Sequence, residues 1–505
     1  MQNGQLIAAV DLGSNSFRLE IGVFEDGQIR RVDYLKETVR QGNGLDVDRM
    51  LSKEAMQRGW DCLARFAERL AGFGPEHVRA VATQTLREAK NRDVFLIQAT
   101  TILGFPIEVI SGREEARLIY LGVAHSLPQS DEKRLVIDIG GRSTEMILGR
   151  AYKPNVMESY RVGSVKWSMK YFANGQFNES AFAKAEVAAK AVLDEALNLY
   201  PKNSWDIAYG SSGTIGAVAD VLASAGWPIG KITLDGLDWL KEKLIKIGDV
   251  DSLKLEGVKD DRKPVIGGGL AILYALFDLL GIKEMHAAQG ALRQGVIQDL
   301  IDRLERDETT DLRSAMVTAL ANRFAVDMAQ ADRVSRTALH LFQGLEVAEN
   351  KKTNLVRRLE NKLGWAAQLL EIGTRISHSD FHKHGAYILD NADLTGFSMS
   401  ELHRLSQLIL GHRGKLKKLD SELREEDFVS QLISLRLAAI LCHARREPDL
   451  KGLSLKRSPE NHAFVIACKK TWVQQWPQSA HLIQEECEAW QKSNWQLEFQ
   501  ISSGV

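Results

Sequence analysis

The pattern of apolar and polar positions changes character twice along the chain. Up to about residue 305, short apolar runs rich in β-branched residues alternate with longer amphipathic stretches. IAAVDLG, FRLEIGVFE, VRAVAT, PIEVIS, RLVIDIG and WDIAYG have the length and composition of strands. Between them, residues 54–71, 114–124, 179–199 and 234–247 carry the helical period. Such alternation predicts α/β layers around a mainly buried sheet. The charged run DLIDRLERDETTD (299–311) is the best boundary, and beyond it the pattern is almost wholly helical to about residue 446. The last stretch, about 452–501, predicts strands in LSLKR, AFVIACKK and WQLEFQI and a helix in HLIQEECEAW.

Two of the predicted strands end alike. IAAVDLGSNSF (7–17) and LVIDIGGRSTE (135–145) share an apolar lead and a D-x-G-x-x-S core 127 positions apart, and Gly22 matches Gly149 at the same offset. With residue frequencies of roughly 5–8% each, a chain of this length gives only about a tenth of one such match by chance. The chemistry of the repeat points to phosphate. Gly13, Gly140 and Gly141 let the backbone turn with its N–H groups outward and unobstructed. Ser14, Asn15, Ser16, Ser143 and Thr144 add donors. Asp11 and Asp138 are oxygen ligands suited to Mg²⁺, directly or through its waters. A third glycine loop, YGSSGTI (209–215), contains Gly213 and opens a helix; VIGGGLAIL (265–273) looks similar. Together they suggest a third wall of the cleft.

At 505 residues the chain is long enough for three or four domains. Its 44% hydrophobic and 26% charged residues, with a net charge of −1, argue against a general nucleic-acid binder. Cys62, Cys442, Cys468 and Cys487 form no C-x-x-C pair, which suits free thiols in a reducing compartment. No signal-peptide pattern opens the sequence, and no uncharged apolar run reaches the roughly 18 residues of a membrane helix. The expected location is cytoplasmic, with no membrane partner and no specific nucleic acid.

Longer strings narrow the chemistry. Paired D-x-G-x-x-S hairpins look like the two phosphate loops of the actin, sugar-kinase and heat-shock chaperone ATPase superfamily. VDLGSNSF, ATQTLREAKN, ISGREEARLIYLGVAHS, LVIDIGGRSTE, GSSGTI and QGALRQGVI, in this order, resemble the exopolyphosphatase / guanosine pentaphosphate phosphohydrolase (Ppx/GppA) family, exopolyphosphatase most closely. SDFHKHGAYILDNADLTGF carries the resemblance into the helical half, so it covers essentially the whole chain. It implies an α/β, actin-like (ribonuclease-H-like) two-lobed ATPase-superfamily fold. An HD-like all-helical domain and a small C-terminal α+β domain would follow. The expected bounds are 1–125 for lobe I, 126–305 for lobe II, 306–446 for the helical domain and 447–505 for the last. A homodimer is implied as well.

Position helps to separate two adjacent glutamates. In ISGREEARL (110–118), Ser111 and Glu114 fit an S-x-x-E capping box, with Glu114 reaching back to the N-cap amide. Glu115 points about 100° further round the helix and is left free. The resemblance makes Glu115 the general base and Asp138, Gly140 and Glu145 functionally needed. Asp11, Asp138 and Glu145 are the expected metal residues, for Mg²⁺ or Mn²⁺, with K⁺ a further candidate ion. Arg87 in TLREAKN could bind phosphate oxygens bidentately or pair with Glu88, and Asn91 and Arg18 are weaker companions. The family commonly reads D-I-G-G-G-S-T where this chain has Arg142 in place of the third glycine. If that position needs φ > 0, arginine costs about 1 kcal/mol of strain; otherwise Arg142 supplies a charge to the substrate path.

Nine of the twelve histidines fall at or after His340. By resemblance to HD-type phosphohydrolases, a metal-binding His-Asp dyad belongs in WAAQLLEIG (365–373), which reads Leu370-Glu371. Leucine cannot ligate a metal, so a second metal centre there is expected to be dead. His378, His382 and His384 then serve packing or phosphate contact. Basic clusters at 351–358, 412–418 and 450–457, with Lys469 and Lys470, suggest a track for a long polyanion. The expected function is therefore an exopolyphosphatase, a metal-dependent phosphoanhydride hydrolase releasing orthophosphate from the end of inorganic polyphosphate. The close alternative is hydrolysis of guanosine pentaphosphate (pppGpp) to ppGpp. A kinase or chaperone-type ATPase fits less well, as does a non-catalytic polyphosphate or nucleotide sensor.

Overall fold

The structure, a computed structural model, describes residues 1–25, 28–128, 130–305, 312–346, 354–458 and 462–502. Its backbone contacts divide into two units, Met1–Asp307 with Asp393–Ser398, and Glu308–Ala392 with Met399–Val505.

In the first unit, β1 (Leu6–Leu12), β2 (Phe17–Glu25), β3 (Gln28–Glu37), β4 (Val78–Ala82) and β5 (Ile107–Val109) form one sheet, ordered β3-β2-β1-β4-β5. A second sheet contains β6 (Lys133–Ile139), β7 (Thr144–Arg150), β8 (Lys153–Tyr160), β9 (Ile207–Ser211), β10 (Lys231–Thr233) and β11 (Glu284–Ala287). Its order is β10-β11-β9-β6-β7-β8. Without the edge strand β10, this sheet repeats the first, with two antiparallel hairpin pairs followed by two parallel neighbours. The sequence repeat is thus a fold repeat. Asp11 faces Arg18 across its hairpin as Asp138 faces Glu145. Gly22 and Gly149 each stand where the next strand pair shifts register, so the matched glycine marks a matched β-bulge.

A shared apolar core lies between the sheets. Ile7, Ala9 and Val81 of the first sheet and Val136 and Ile147 of the second close on Leu118 and Tyr120 of the helix Gly112–His125. Val296 and Leu300 of the helix Leu292–Glu305 complete that core. The two helices cross closely: a Cβ on Gly295 would stand 1.7 Å from the Leu118 carbonyl oxygen. Both helices are therefore set by packing on both faces.

The strands legible as apolar runs are mostly the central ones. β3 (QIRRVDYLKE) and β8 (KPNVMESY) are edge strands with half-exposed faces, which removes the pressure for apolar alternation. The stretch 179–199 divides into helices Glu179–Leu193 and Ala196–Leu199. The window Lys263–Leu280 is long and apolar enough, by composition, to cross a membrane, with a mean hydropathy of 1.5. Here 72% of it is buried, and Leu270, Leu273 and Leu276 belong to the core of the second sheet.

The second unit is mainly helical, with helices Leu312–Arg323, Met328–Glu346, Asn354–Gln368, Phe381–Asp390, Met399–Gly411 and Glu426–Leu441. Strands β12 (Ser454–Arg457), β13 (Ala463–Lys469) and β14 (Gln496–Ser502) then form a three-stranded sheet beside the helix Pro477–Trp490. Residues 306–311 of the expected boundary and 351–353 of the first basic cluster lie outside the described residues.

Candidate active site

The two loops of the repeat line one pocket, which encloses about 690 Å³ up to its open mouth. Asp11, Gly13, Ser14, Asn15 and Ser16 come from the first loop, and Asp138, Gly140, Gly141 and Ser143 from the second. Loop carbonyls are tied back into the fold. Gly140 and Gly141 accept the N–H groups of Ser164 and Val165 at 2.9 Å, and Ser14 accepts that of Gly42 at 2.7 Å. Such bonding holds the loops in shape, and the Gly140 N–H adds to it by donating to the Ser143 carbonyl at 2.9 Å. Gly213 supplies the third side because Arg262 lies against it; a Cβ there would stand 2.3 Å from the guanidinium. Its neighbour Ser212 has φ 98°, left-handed backbone that costs about 1–3 kcal/mol and clusters at binding sites. The glycines of VIGGGLAIL, in contrast, are buried in the helix Ile266–Leu280 and form no wall of this pocket.

Four buried carboxyls stand in or behind the pocket. Glu115 projects from the first turn of Gly112–His125, whose N-cap Ser111 accepts the Glu114 N–H at 3.2 Å. Burial pushes the Glu115 carboxyl up to about 7, against the pull of Arg87 and helped by Asp11 and Asp138. Arg87 Nη1 donates to Glu115 Oε2 at 3.1 Å and to the Ile110 carbonyl at 2.7 Å. Burial likewise raises Asp138 to about 6, offset in part by a Ser211 hydrogen bond and by Arg18. It raises Asp11 too, against Arg18 and Arg293. Glu145 stands outside the lining and accepts the Ser159 hydroxyl at 2.7 Å. Burial, then the charges of Glu115 and Asp138, push it well above the usual carboxylate range.

This donor set fits a hard cation. The carboxyls repel one another, and Asp11 Oδ1 is buried with no hydrogen-bond partner. Among the described residues no three His, Cys, Asp or Glu side chains are grouped to hold a metal by themselves. One or two carboxylates completed by water and phosphate oxygens is the habit of Mg²⁺.

Several expected residues do not reach the pocket. Arg87 is committed to Glu115, the Ile110 carbonyl and Gln84, and pairs neither with Glu88 nor with open space. The Thr144 hydroxyl is buried and donates to the Val162 carbonyl at 2.7 Å. Arg142 has no positive φ, so the arginine brings no backbone strain. Its guanidinium donates to the Gly42 carbonyl at 2.9 Å and to Glu88 at 3.3 Å, tying the second loop to the first lobe. Asn91 exchanges hydrogen bonds with the Leu51 backbone. Glu114 does not reach back to the N-cap amide. Its carboxylate accepts two bonds from Arg117, at 2.8 Å each, and the Gly396 N–H at 2.7 Å, because a forked guanidinium outcompetes one amide.

Other residues enter the site without having been singled out. Thr83, Ser164 and Arg262 line the pocket, beside Arg18, which the sequence had offered as a weaker candidate. A second, more open recess, about 910 Å³ with the space at its mouth included, shares Arg18, Gly213 and Arg262, and adds Tyr34, Lys36, Lys259 and Arg293. Arg293 lies within the conspicuous string QGALRQGVI, whereas Arg262 comes from a loop with no motif, and only the fold brings it in.

In the second unit, Leu370 is buried, and Glu371 is bound to Arg445 at 2.7 and 2.9 Å. His382 is buried edge-on to His412, with His378 exposed. Burial lowers His382 to about 4 and His412 to about 3, keeping both rings neutral near pH 7. Of the basic clusters, Arg413 lies over the Phe381 ring and Arg457 pairs with Glu426 at 2.8 Å.

Comparison with known proteins bears on both units. Residues 22–304 match the model of the Ppx/GppA phosphatase family, and residues 312–489 match that of Ppx/GppA phosphatase, domain III. A relative from Pseudoalteromonas translucida named guanosine-5′-triphosphate,3′-diphosphate pyrophosphatase is 38% identical over 97% of each chain. One of the same name from Aeromonas hydrophila subsp. hydrophila is 37% identical over 98% of this chain and 99% of its own. The crystal structure of the Aquifex aeolicus Ppx/GppA family member has a TM-score of 0.52 at 24% identity, covering 60% of this chain and 99% of its own. That of an exopolyphosphatase from Cytophaga hutchinsonii has a TM-score of 0.54 at 23% identity, covering 59% and 98%. Both likenesses concern the fold: mixed sheets of the actin-like kind, here followed by a helical C-terminal region.

Proposed function

The chain belongs to the Ppx/GppA phosphatase family, and from that premise we propose that it hydrolyses the terminal 5′-phosphoanhydride of pppGpp, releasing orthophosphate and ppGpp. What carries the choice of substrate is likeness over almost the whole length to proteins named for that nucleotide, at 38% and 37% identity. This moves the reading from inorganic polyphosphate, the first expectation, to its alternative. The second recess supports the shift. A guanosine with phosphates on both sides of its ribose needs anion contacts on either side of a space for the base. Arg18, Lys36, Lys259, Arg262 and Arg293 around Tyr34 offer such a space next to the loops.

In this reading Glu115 takes a proton from the water that attacks the terminal phosphorus. The P–O bond to the neighbouring phosphate breaks, and that phosphate leaves with the electron pair. A carboxyl near 7 is suited to a base at neutral pH, and such assistance is worth about 10²–10⁴-fold. Arg87 orients the carboxylate. Gly13, Ser14, Asn15, Ser16, Gly140, Gly141 and Ser143 hold the phosphates, with Gly213 and Arg262 on the third side. Asp11 and Asp138, backed by Glu145, would hold Mg²⁺ or Mn²⁺, which when bound neutralises charge on the phosphate oxygens. K⁺, a homodimeric assembly, a cytoplasmic setting and an HD-like helical domain whose metal dyad is replaced by Leu370-Glu371 belong to the same reading.

Orthophosphate release from pppGpp and from long-chain polyphosphate, measured in parallel with Mg²⁺, tests it. The expected outcome is a preference for pppGpp of at least about tenfold in kcat/KM, with Glu115→Gln lowering kcat by about 10²-fold or more. A reversed preference would return the function to exopolyphosphatase with the same machinery. Cleavage of neither would overturn the hydrolase reading.

A further inference from the structure

Behind Glu115 lies a buried ionic network that the proposed reaction does not use. Glu114 is fully buried, on a helix face about 100° from its neighbour. Arg117 grips it with two bonds and reaches Asp299 at 2.5 Å, while Arg79 and Arg303 reach the same aspartate at 2.5 and 2.6 Å. The network closes on a segment from much later in the chain, Asp393–Ser398. Gly396 donates its N–H to Glu114 at 2.7 Å and accepts Arg303 on its carbonyl at 3.0 Å. Its φ of 88° is glycine territory.

Two features tie this strap to the base itself. The Gly396 bond holds the first turn of the helix that carries Glu115. Ser398 bridges Ile110, and the Ile110 carbonyl is the second acceptor of the same Arg87 nitrogen that holds Glu115. The helix turn is thus bonded to the strap directly, and the arginine is tied to it through Ile110. We propose that Glu114 and the strap Asp393–Ser398 are positioning elements for the base, holding Glu115 in line for attack without touching substrate. The inference rests on the hydrolase reading for its kinetic consequence. Residues 392 and 399, at either end of the strap, belong to the second unit. The aim of the base therefore depends on chain supplied by the second half of the protein.

The test compares wild type, Gly396→Ala, Glu114→Gln and the double variant as full-length proteins. Gly396→Ala disturbs the strap without altering a charge. It should lower kcat three- to tenfold with KM within twofold, at a melting temperature within a few degrees of wild type. Glu114→Gln, which also loosens Arg117, should lower kcat at least as far, and the double variant no further than that, because the Gly396 bond acts on the helix through Glu114. Deuterium exchange should quicken at the amides of residues 112–116 in every variant, a readout that needs no substrate. An unchanged kcat, independent losses that multiply, or kcat and KM moving together with lost folded protein would overturn the proposal. Should wild type cleave neither substrate, the hydrolase reading falls, and unchanged exchange at 112–116 would still sink the strap's hold on the helix.

Discussion

Burying the Glu115 carboxyl beside Asp11 and Asp138 makes it unstable in its ionised form, since its pKa rises from 4.5 to about 7. Between those values the folded protein holds a proton that the unfolded chain has released, so folding stability falls as pH rises through that window. Above about 7 the penalty is complete, and it is relieved by any change that removes the charge. Glu115→Gln, which should abolish most activity, is therefore expected to stabilise the metal-free protein at pH 8 by roughly 1–3 kcal/mol and to do little at pH 4.5. Urea unfolding of both proteins at the two pH values would check this. Glu115 was singled out because it stands one position past Glu114 in a string that resembles the family. The partners of its neighbour were not: Arg117, Asp299 and Gly396 converge on Glu114 from three separate places in the chain. Arg142 shows the converse: its break with the family pattern left strain or a supplied charge open, and the backbone shows no strain.

At the scale of elements, the packing of the helices Gly112–His125 and Leu292–Glu305 sets where Glu115 stands. Gly295 admits no side chain, its Cβ falling 1.7 Å from the Leu118 carbonyl, so Gly295→Ala must push the helices apart. A loss of roughly 3 kcal/mol in chemical denaturation, with a fall in kcat, is expected. Asp299 supplies the electrostatic lock between the same helices. Burial alone would raise its carboxyl, but Arg117, Arg303 and Arg79 hold it well below 3.8. A depressed pKa of this kind stabilises the fold fully above 3.8 and is lost as pH falls below it. Asp299→Asn leaves three guanidinium groups short of a partner and should cost about 3–5 kcal/mol at pH 7, a difference that narrows in acid. Most of the strands read from the sequence are central, where both faces are buried and continuous apolar runs are demanded, although the short central β11 was not among them and the edge strand β5 was. Edge strands such as β3 and β8 bear no such demand, and their sequences announce little.

For the whole molecule, the gathered negative charge predicts stabilisation by a divalent cation. Binding that neutralises Asp11 and Asp138 should raise the melting temperature, by the equivalent of about 2.7 kcal/mol when Mg²⁺ stands at a hundred times its Kd. The increment should vanish in an Asp11→Asn, Asp138→Asn double variant, which itself should melt higher than metal-free wild type; scanning calorimetry with Mg²⁺ and with chelator would decide. What the sequence by itself determined was the duplication and its frame: the two D-x-G-x-x-S hairpins, the matched Gly22 and Gly149, the helix bearing Glu115, and the passage from alternating to helical pattern. These are local signals, written by the period of burial and by turns that only certain residues can make. Tertiary structure alone decided which side chains meet. It turned Arg87 onto Glu115, took Thr144 and Arg142 away from the pocket, and drew in Arg262 and Arg293. It also set Gly396 behind a glutamate 282 positions earlier. A guanidinium or a carboxylate can satisfy its charge with whatever the folded chain brings within reach, and no local pattern records that choice.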